Sequence, residues 1–281
     1  MGLRQISIIG VGLLGGSLGL AVKRRQLAGA VVGIGHREST LRTASARGAI
    51  DRFTLDVAEG VRGADLVVLA TPVGLFGPLL EQAAPALAEG CLVTDVGSTK
   101  RAVLEAVLPR IPKGCNFVGA HPLAGSEARG IDAARADLYD EALVFVVPTE
   151  RSDEAAVKAL ERFWRDVGAR VRRIDAETHD RLLAESSHLP HLVAAALMNA
   201  LSVDAEQAIG RGFLDTTRVA SGDPAMWRDI LLTNRDQVLR ALAQLEAGLG
   251  AAKSALEKAQ AEAIGEFLEQ AKSRRDRLRG A

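Results

Sequence analysis

His121 stands in Gly119-Ala120-His121-Pro122-Leu123-Ala124-Gly125-Ser126-Glu127, about a hundred residues after a glycine-rich loop. A neutral imidazole can accept the proton of a substrate hydroxyl while hydride leaves for a nicotinamide. Ser98, in Asp95-Val96-Gly97-Ser98-Thr99-Lys100, offers a hydroxyl that can bond a cofactor or such a base. Farther on come His179-Asp180 and Ser186-Ser187-His188-Leu189-Pro190-His191. At about 100° per residue, Asp180, Ser187 and His191 fall within about 40° on one helix face. That polar stripe lines either a substrate cleft or a satisfied interface. Gly212-Phe213-Leu214-Asp215-Thr216-Thr217-Arg218 and Asp223-Pro224-Ala225-Met226-Trp227 follow, and Arg218 is a candidate carboxylate clamp.

These residues need a nucleotide beside them, and Gly10-Val11-Gly12-Leu13-Leu14-Gly15 supplies the pattern. It follows an apolar β-branched run and opens a helical one, the context that gives G-x-G-x-x-G meaning. Gly10 permits the turn, Gly12 admits a pyrophosphate, and Gly15 lets helix and strand approach. After the second apolar run the chain reads Ile34-Gly35-His36-Arg37-Glu38-Ser39. No acid stands at Gly35 to grip ribose hydroxyls. His36 and Arg37 instead favour a 2′-phosphate, so NADP is expected ahead of NAD, with Glu38 the feature that suits NAD. Thr71-Pro72-Val73 ends another strand on the cofactor side.

The positioning elements are short apolar runs at Ile6–Ile9, Val31–Ile34, Leu66–Leu69, Leu92–Thr94, Phe117–Gly119 and Leu143–Val147, alternating with helical patterns. They predict a parallel, doubly wound Rossmann-type α/β sheet. His121 is expected at the end of the Phe117–Gly119 strand, on the same edge as Ser98. Ala169–Ile174, rich in arginine, is expected as an edge strand. Past Asp175 the patterns become helical, which divides the chain into residues 1–175 and an all-α part, residues 176–281. There Leu242, Leu245, Leu249, Ala252, Leu256, Ala259 and Ala263 form a stripe suited to helix pairing, within the subunit or across a dimer.

Composition excludes other classes. The chain has 281 residues, with Lys+Arg and Asp+Glu both 35, so no net field draws nucleic acid. Aromatics at 4% argue against a base-stacking surface. Cys91 and Cys115 form no C-x-x-C pair, so no metal is expected. No signal sequence or membrane-spanning run is read, which favours the cytoplasm.

In this order, HPLAGSE, SHLPH, F-x-D-x-T-R and DPAMW resemble the prephenate/arogenate dehydrogenase family of tyrosine biosynthesis, over nearly the whole chain. The resemblance implies a dimer through the helical domain and oxidative decarboxylation of prephenate with NAD(P)⁺. It makes His121 the catalytic acceptor from the ring C4 hydroxyl and Ser98 its orienting neighbour, which also contacts nicotinamide. It assigns His191 and Arg218 to substrate, Glu127 and Asp180 to a charged network around that arginine, and Trp227 to the pocket wall. Some relatives carry Lys where Leu214 stands, so a less neutralised Glu127 or Asp180 keeps arogenate, with its ammonium, as an alternative substrate. More distant readings are a β-hydroxyacid dehydrogenase, which would need a catalytic lysine where His179-Asp180 and SHLPH stand, and a non-catalytic nicotinamide sensor, which would need no proton acceptor. No separate regulatory domain is read after the helical region, so tyrosine inhibition, if present, is expected at the active site.

Overall fold

Strand β1 (Leu3–Ile9) feeds two apolar cores at once, Ile6 and Ile8 entering one and Ile9 the other. The structure is a computed structural model describing residues 2–125 and 128–279. After β1 come α1 (Leu13–Arg24), β2 (Ala28–Ile34), α2 (Glu38–Ala46), β3 (Arg52–Thr54), α3 (Val57–Val61), β4 (Leu66–Leu69), α4 (Phe76–Ala83), β5 (Leu92–Asp95), α5 (Arg101–Val107) and β6 (Asn116–Phe117). These six strands form a parallel sheet of order β3-β2-β1-β4-β5-β6. In β4, Leu66 and Val68 join one core while Val67 and Leu69 join the other. Burial on both faces explains the near-continuous apolar runs. The order reverses between β1 and β4, which opens a crevice at their carboxyl ends.

The strand expected to carry His121 on this sheet does not stay in it. Val118 still donates to Val93 O at 3.0 Å. Two residues on, the Ala120 N–H goes to the Asp95 carboxylate at 3.1 Å, and Ala120 O accepts from Lys100 Nζ at 2.8 Å. Side chains satisfy the backbone groups that ladder bonds would have used, so the strand can leave. It becomes β7 (Gly119–Pro122), antiparallel to β8 (Leu143–Val147). Beyond α6 (Glu154–Val167), β8 pairs in parallel with β9 (Arg170–Arg173), the arginine-rich edge strand expected from the sequence.

Helix α7 (Ala176–Leu183) is started by Asp175, whose side chain accepts from Thr178 N at 2.8 Å. A π turn, Ala184–His188, joins it to α8 (Leu189–Ala200). The wider turn corrects the expected helix face. It takes up extra backbone, so His188 is buried where regular winding would turn Ser187 inward. Next come α9 (Arg211–Thr217) and α10 (Pro224–Thr233), the latter capped by Asp223, which accepts from Met226 N at 2.9 Å.

The chain forms one compact unit up to Asn234 and a second from Arg235. The second consists of α11 (Arg235–Glu257) packed on α12 (Ala261–Arg279). The apolar stripe expected as one run is broken between them, where Ala259 adopts a φ of 51°. Leu249 and Leu256 on that stripe are exposed. No helix of the described residues is long and apolar enough to cross a membrane.

Candidate active site

The crevice is shaped by close backbone approach. Gly10 has φ +99°, and a Cβ there would lie 2.6 Å from Ala70 O; at Gly15 it would lie 2.0 Å from Gly10 O. Only glycine lets the β1–α1 turn press against the end of β4. At Gly12 a Cβ would meet no protein atom within 4 Å, because that residue faces a cavity of about 640 Å³. Helix α1 begins there with no acidic residue in its first turn, so its positive end suits a pyrophosphate. The residues present therefore fit a dinucleotide. Leu13, Leu14, Thr71, Pro72 and Ser98 line the same cavity. Beyond β2, His36 and Arg37 are exposed, while the Glu38 carboxylate accepts from Arg42 at 2.6 and 3.0 Å.

On the helical side the cavity is walled by His191 and Trp227, whose rings stack at 3.6 Å and 12°. Arg129 and Asp223 also line it and form an ion pair at 2.5 Å. His121 is 7% exposed and is not on this wall, although Ala124 and Gly125, three and four residues on, are.

His121 belongs to a buried relay. The Asp180 carboxylate can only accept, so His179 Nδ1, at 2.8 Å, carries its hydrogen. His179 Nε2 is then an acceptor and meets His121 Nδ1–H at 2.9 Å. The remaining nitrogen, His121 Nε2, is left with a free lone pair. Burial, and then the neighbouring His179, Lys100 and His188, push the His121 imidazole well below its ordinary value of 6.5. Burial would raise the Asp180 carboxyl. The hydrogen bond from His179 and those from Arg101 N and Lys100 N, at 2.9 and 2.8 Å, outweigh it and hold the group below its ordinary value.

Other expected residues fall differently. Ser98 is half-buried on the cavity wall, and among the described residues no hydrogen bond joins it to His121. Asp180 lies fully buried, with Oδ1 and Oδ2 both engaged, as the anchor of the relay and not on the cavity wall. Arg218 is exposed at the end of α9, beside Val219, which lines the cavity. Glu127 lies outside the described residues. The sequence reading gave no role to His179, Lys100 or Asn234. His179 had one signal, its place beside Asp180; Lys100 and Asn234 had none.

A crevice that fits a dinucleotide on a doubly wound sheet, with a buried histidine in the strand that leads to its wall, is the architecture of a dehydrogenase. Residues 18–173 match the nucleotide-binding domain of prephenate dehydrogenase, and residues 175–270 match its dimerization domain. The chain belongs to the prephenate dehydrogenase family. It is 34% identical to prephenate dehydrogenase of Bacillus subtilis, over 97% of this chain and 76% of that protein. The crystal structure of prephenate dehydrogenase from A. aeolicus in complex with hydroxyphenyl propionate and NAD+ is 32% identical with TM-score 0.91, covering 99% of each chain. That of Synechocystis arogenate dehydrogenase is 30% identical with TM-score 0.84, covering 98% of this chain and all of the other.

Proposed function

We propose that the chain converts prephenate to 4-hydroxyphenylpyruvate and CO₂ with reduction of NAD(P)⁺, as a cytoplasmic homodimer. Residues 1–175 form the nucleotide domain and residues 176–281 the helical one; the two family matches, meeting at 173 and 175, support that division. The observation that carries the reading is the Asp180–His179–His121 relay, which supports His121 as the base by leaving the hydrogen on its Nδ1 and the lone pair on Nε2.

When bound, the dinucleotide takes hydride from substrate C4. Gly10, Gly12, Leu13, Leu14 and Gly15 would hold its pyrophosphate, and Thr71, Pro72 and Ser98 would hold the nicotinamide end. His121 Nε2 accepts the C4 hydroxyl proton as hydride leaves. The bond from C1 to its carboxylate then breaks, and its electron pair makes the ring aromatic. Because that step is strongly driven, positioning and one base suffice. His191 and Trp227 hold the ring, and Arg218 grips the side-chain carboxylate. Pairing the departing carboxylate as tightly would stabilise the ground state.

NADP is preferred over NAD in this reading. Gly35 replaces the usual acid, and Arg42 already holds Glu38, which leaves His36 and Arg37 to face a 2′-phosphate. A second reading, arogenate as substrate, is favoured by the Arg129–Asp223 pair on the cavity wall, which matches the carboxylate and ammonium of an amino acid. Following reduced nucleotide at 340 nm for the four pairs of prephenate or arogenate with NAD⁺ or NADP⁺ tests all of this. Turnover with neither substrate overturns the activity, and a clear NAD⁺ preference overturns the cofactor assignment.

A further inference from the structure

We propose that His188 donates its Nε2 hydrogen to the substrate oxygen at C4, the oxygen whose proton His121 accepts; this rests on the reading above. His188 closes the π turn and is 1% exposed. Its tautomer follows from Asn234. The Asn234 amide nitrogen donates to Asp180 O at 2.7 Å, a contact that an amide oxygen could not make. The same nitrogen lies 3.1 Å from His188 Nδ1, which must therefore accept. The hydrogen of the neutral ring is then on Nε2. Among the described residues that atom is buried with no partner. A buried donor without an acceptor is costly and calls for one.

Asp180 thus sets two imidazoles in opposite senses. Its carboxylate, through His179, leaves His121 Nε2 bare, and its backbone carbonyl, through Asn234, leaves His188 Nε2 protonated. Both rings hang on that one residue, His121 through His179 at 2.9 Å and His188 through Asn234 at 3.1 Å. His188 also stands edge-on to Trp227 of the cavity wall, with centroids 6.2 Å apart. Burial holds His188 down to about 4, so the ring stays a neutral donor near pH 7.

One acceptor and one donor are what an alcohol oxygen can use together. Once the hydroxyl proton is on His121 and hydride has left C4, the oxygen is a carbonyl and only accepts. When the C1–carboxylate bond breaks, its electron pair enters the ring and negative charge reaches that oxygen until a proton returns from His121. A donor fixed beforehand stabilises that charge, and loss of one such donor typically costs 10²–10³-fold in kcat.

The test compares wild type, His188→Gln and His188→Met with whichever substrate wild type turns over. Gln keeps a donor near the position of Nε2, whereas Met fills the space without one. The expected result is a fall of about 100-fold in kcat for Met and less than tenfold for Gln, with both folded by thermal melting. A Met variant within threefold of wild type, or Gln and Met equally impaired, overturns the proposal. If the Met variant does not fold, ¹⁵N-histidine NMR of wild type decides. His188 should carry its hydrogen on Nε2, and that proton should move downfield when 4-hydroxyphenylpyruvate binds; the other tautomer or an unmoved signal overturns it. Inactivity of wild type with both substrates counts instead against the proposed function, because the tautomer is read without turnover.

Discussion

The proposed base, His121, needs a free Nε2 lone pair and an uncharged ring; the hydrogen bonds from Asp180 onward support the first condition and burial the second. His121→Asn should lower kcat by about 10²–10⁴-fold with little change in KM; steady-state kinetics check this, and near-normal turnover would overturn the assignment. Arg218→Ala should do the reverse, raising KM strongly and lowering kcat less, if that side chain holds the substrate carboxylate. Protonation silences the base, and its pKa is displaced below 6.5. The acidic limb of the kcat/KM profile should therefore lie below pH 6.5, with activity maintained as pH falls through that value.

At the scale of elements, the wall of the cavity depends on the short segment between α9 and α10. A Cβ on Gly222 would lie 2.4 Å from Trp227 Nε1 and 2.8 Å from His191 Cε1. Gly222→Ala should push the stacked rings apart and raise KM roughly tenfold, with kcat less affected; an unchanged KM would show that the stack does not hold substrate. The main sheet was legible in the sequence because each β-branched run meets a core on both faces. Strand β3 was not, since Phe53 is its only apolar side chain. The departure of β7 was hidden as well, because it depends on Asp95 and Lys100, which precede Ala120 by 25 and 20 residues. The π turn defeats any reading that assumes 3.6 residues per turn, which groups Ser187 with Asp180 and His191 on one face. The break at Ala259 has neither glycine nor proline to announce it. His121 stands out in its motif, but its hydrogen-bond partner His179 lies 58 residues away in another element.

For the whole molecule, four of the five histidines, His121, His179, His188 and His191, are buried, and burial lowers each of them. Their folded values lie below the unfolded value of 6.5, so the unfolded chain takes up protons first as pH falls. Their stability contribution is complete above about pH 6.5 and is lost below it, by up to ~1.4 kcal/mol per pH unit for each proton. His188, displaced to about 4, alone accounts for roughly 3 kcal/mol once pH is below that value. Thermal unfolding should show Tm nearly constant from pH 8 to 7 and falling steeply from pH 6 to 4.5; a flat profile would mean that the histidines are not buried as a group. The chain has two tryptophans: Trp164 is sealed in the nucleotide-domain core, and Trp227 is half-buried against His191 on the cavity wall. One indole is therefore shielded, and the other lines the cavity proposed for the substrate. The molecule carries its own optical gauge of occupancy, and Trp164→Phe would leave a single tryptophan, on the wall alone.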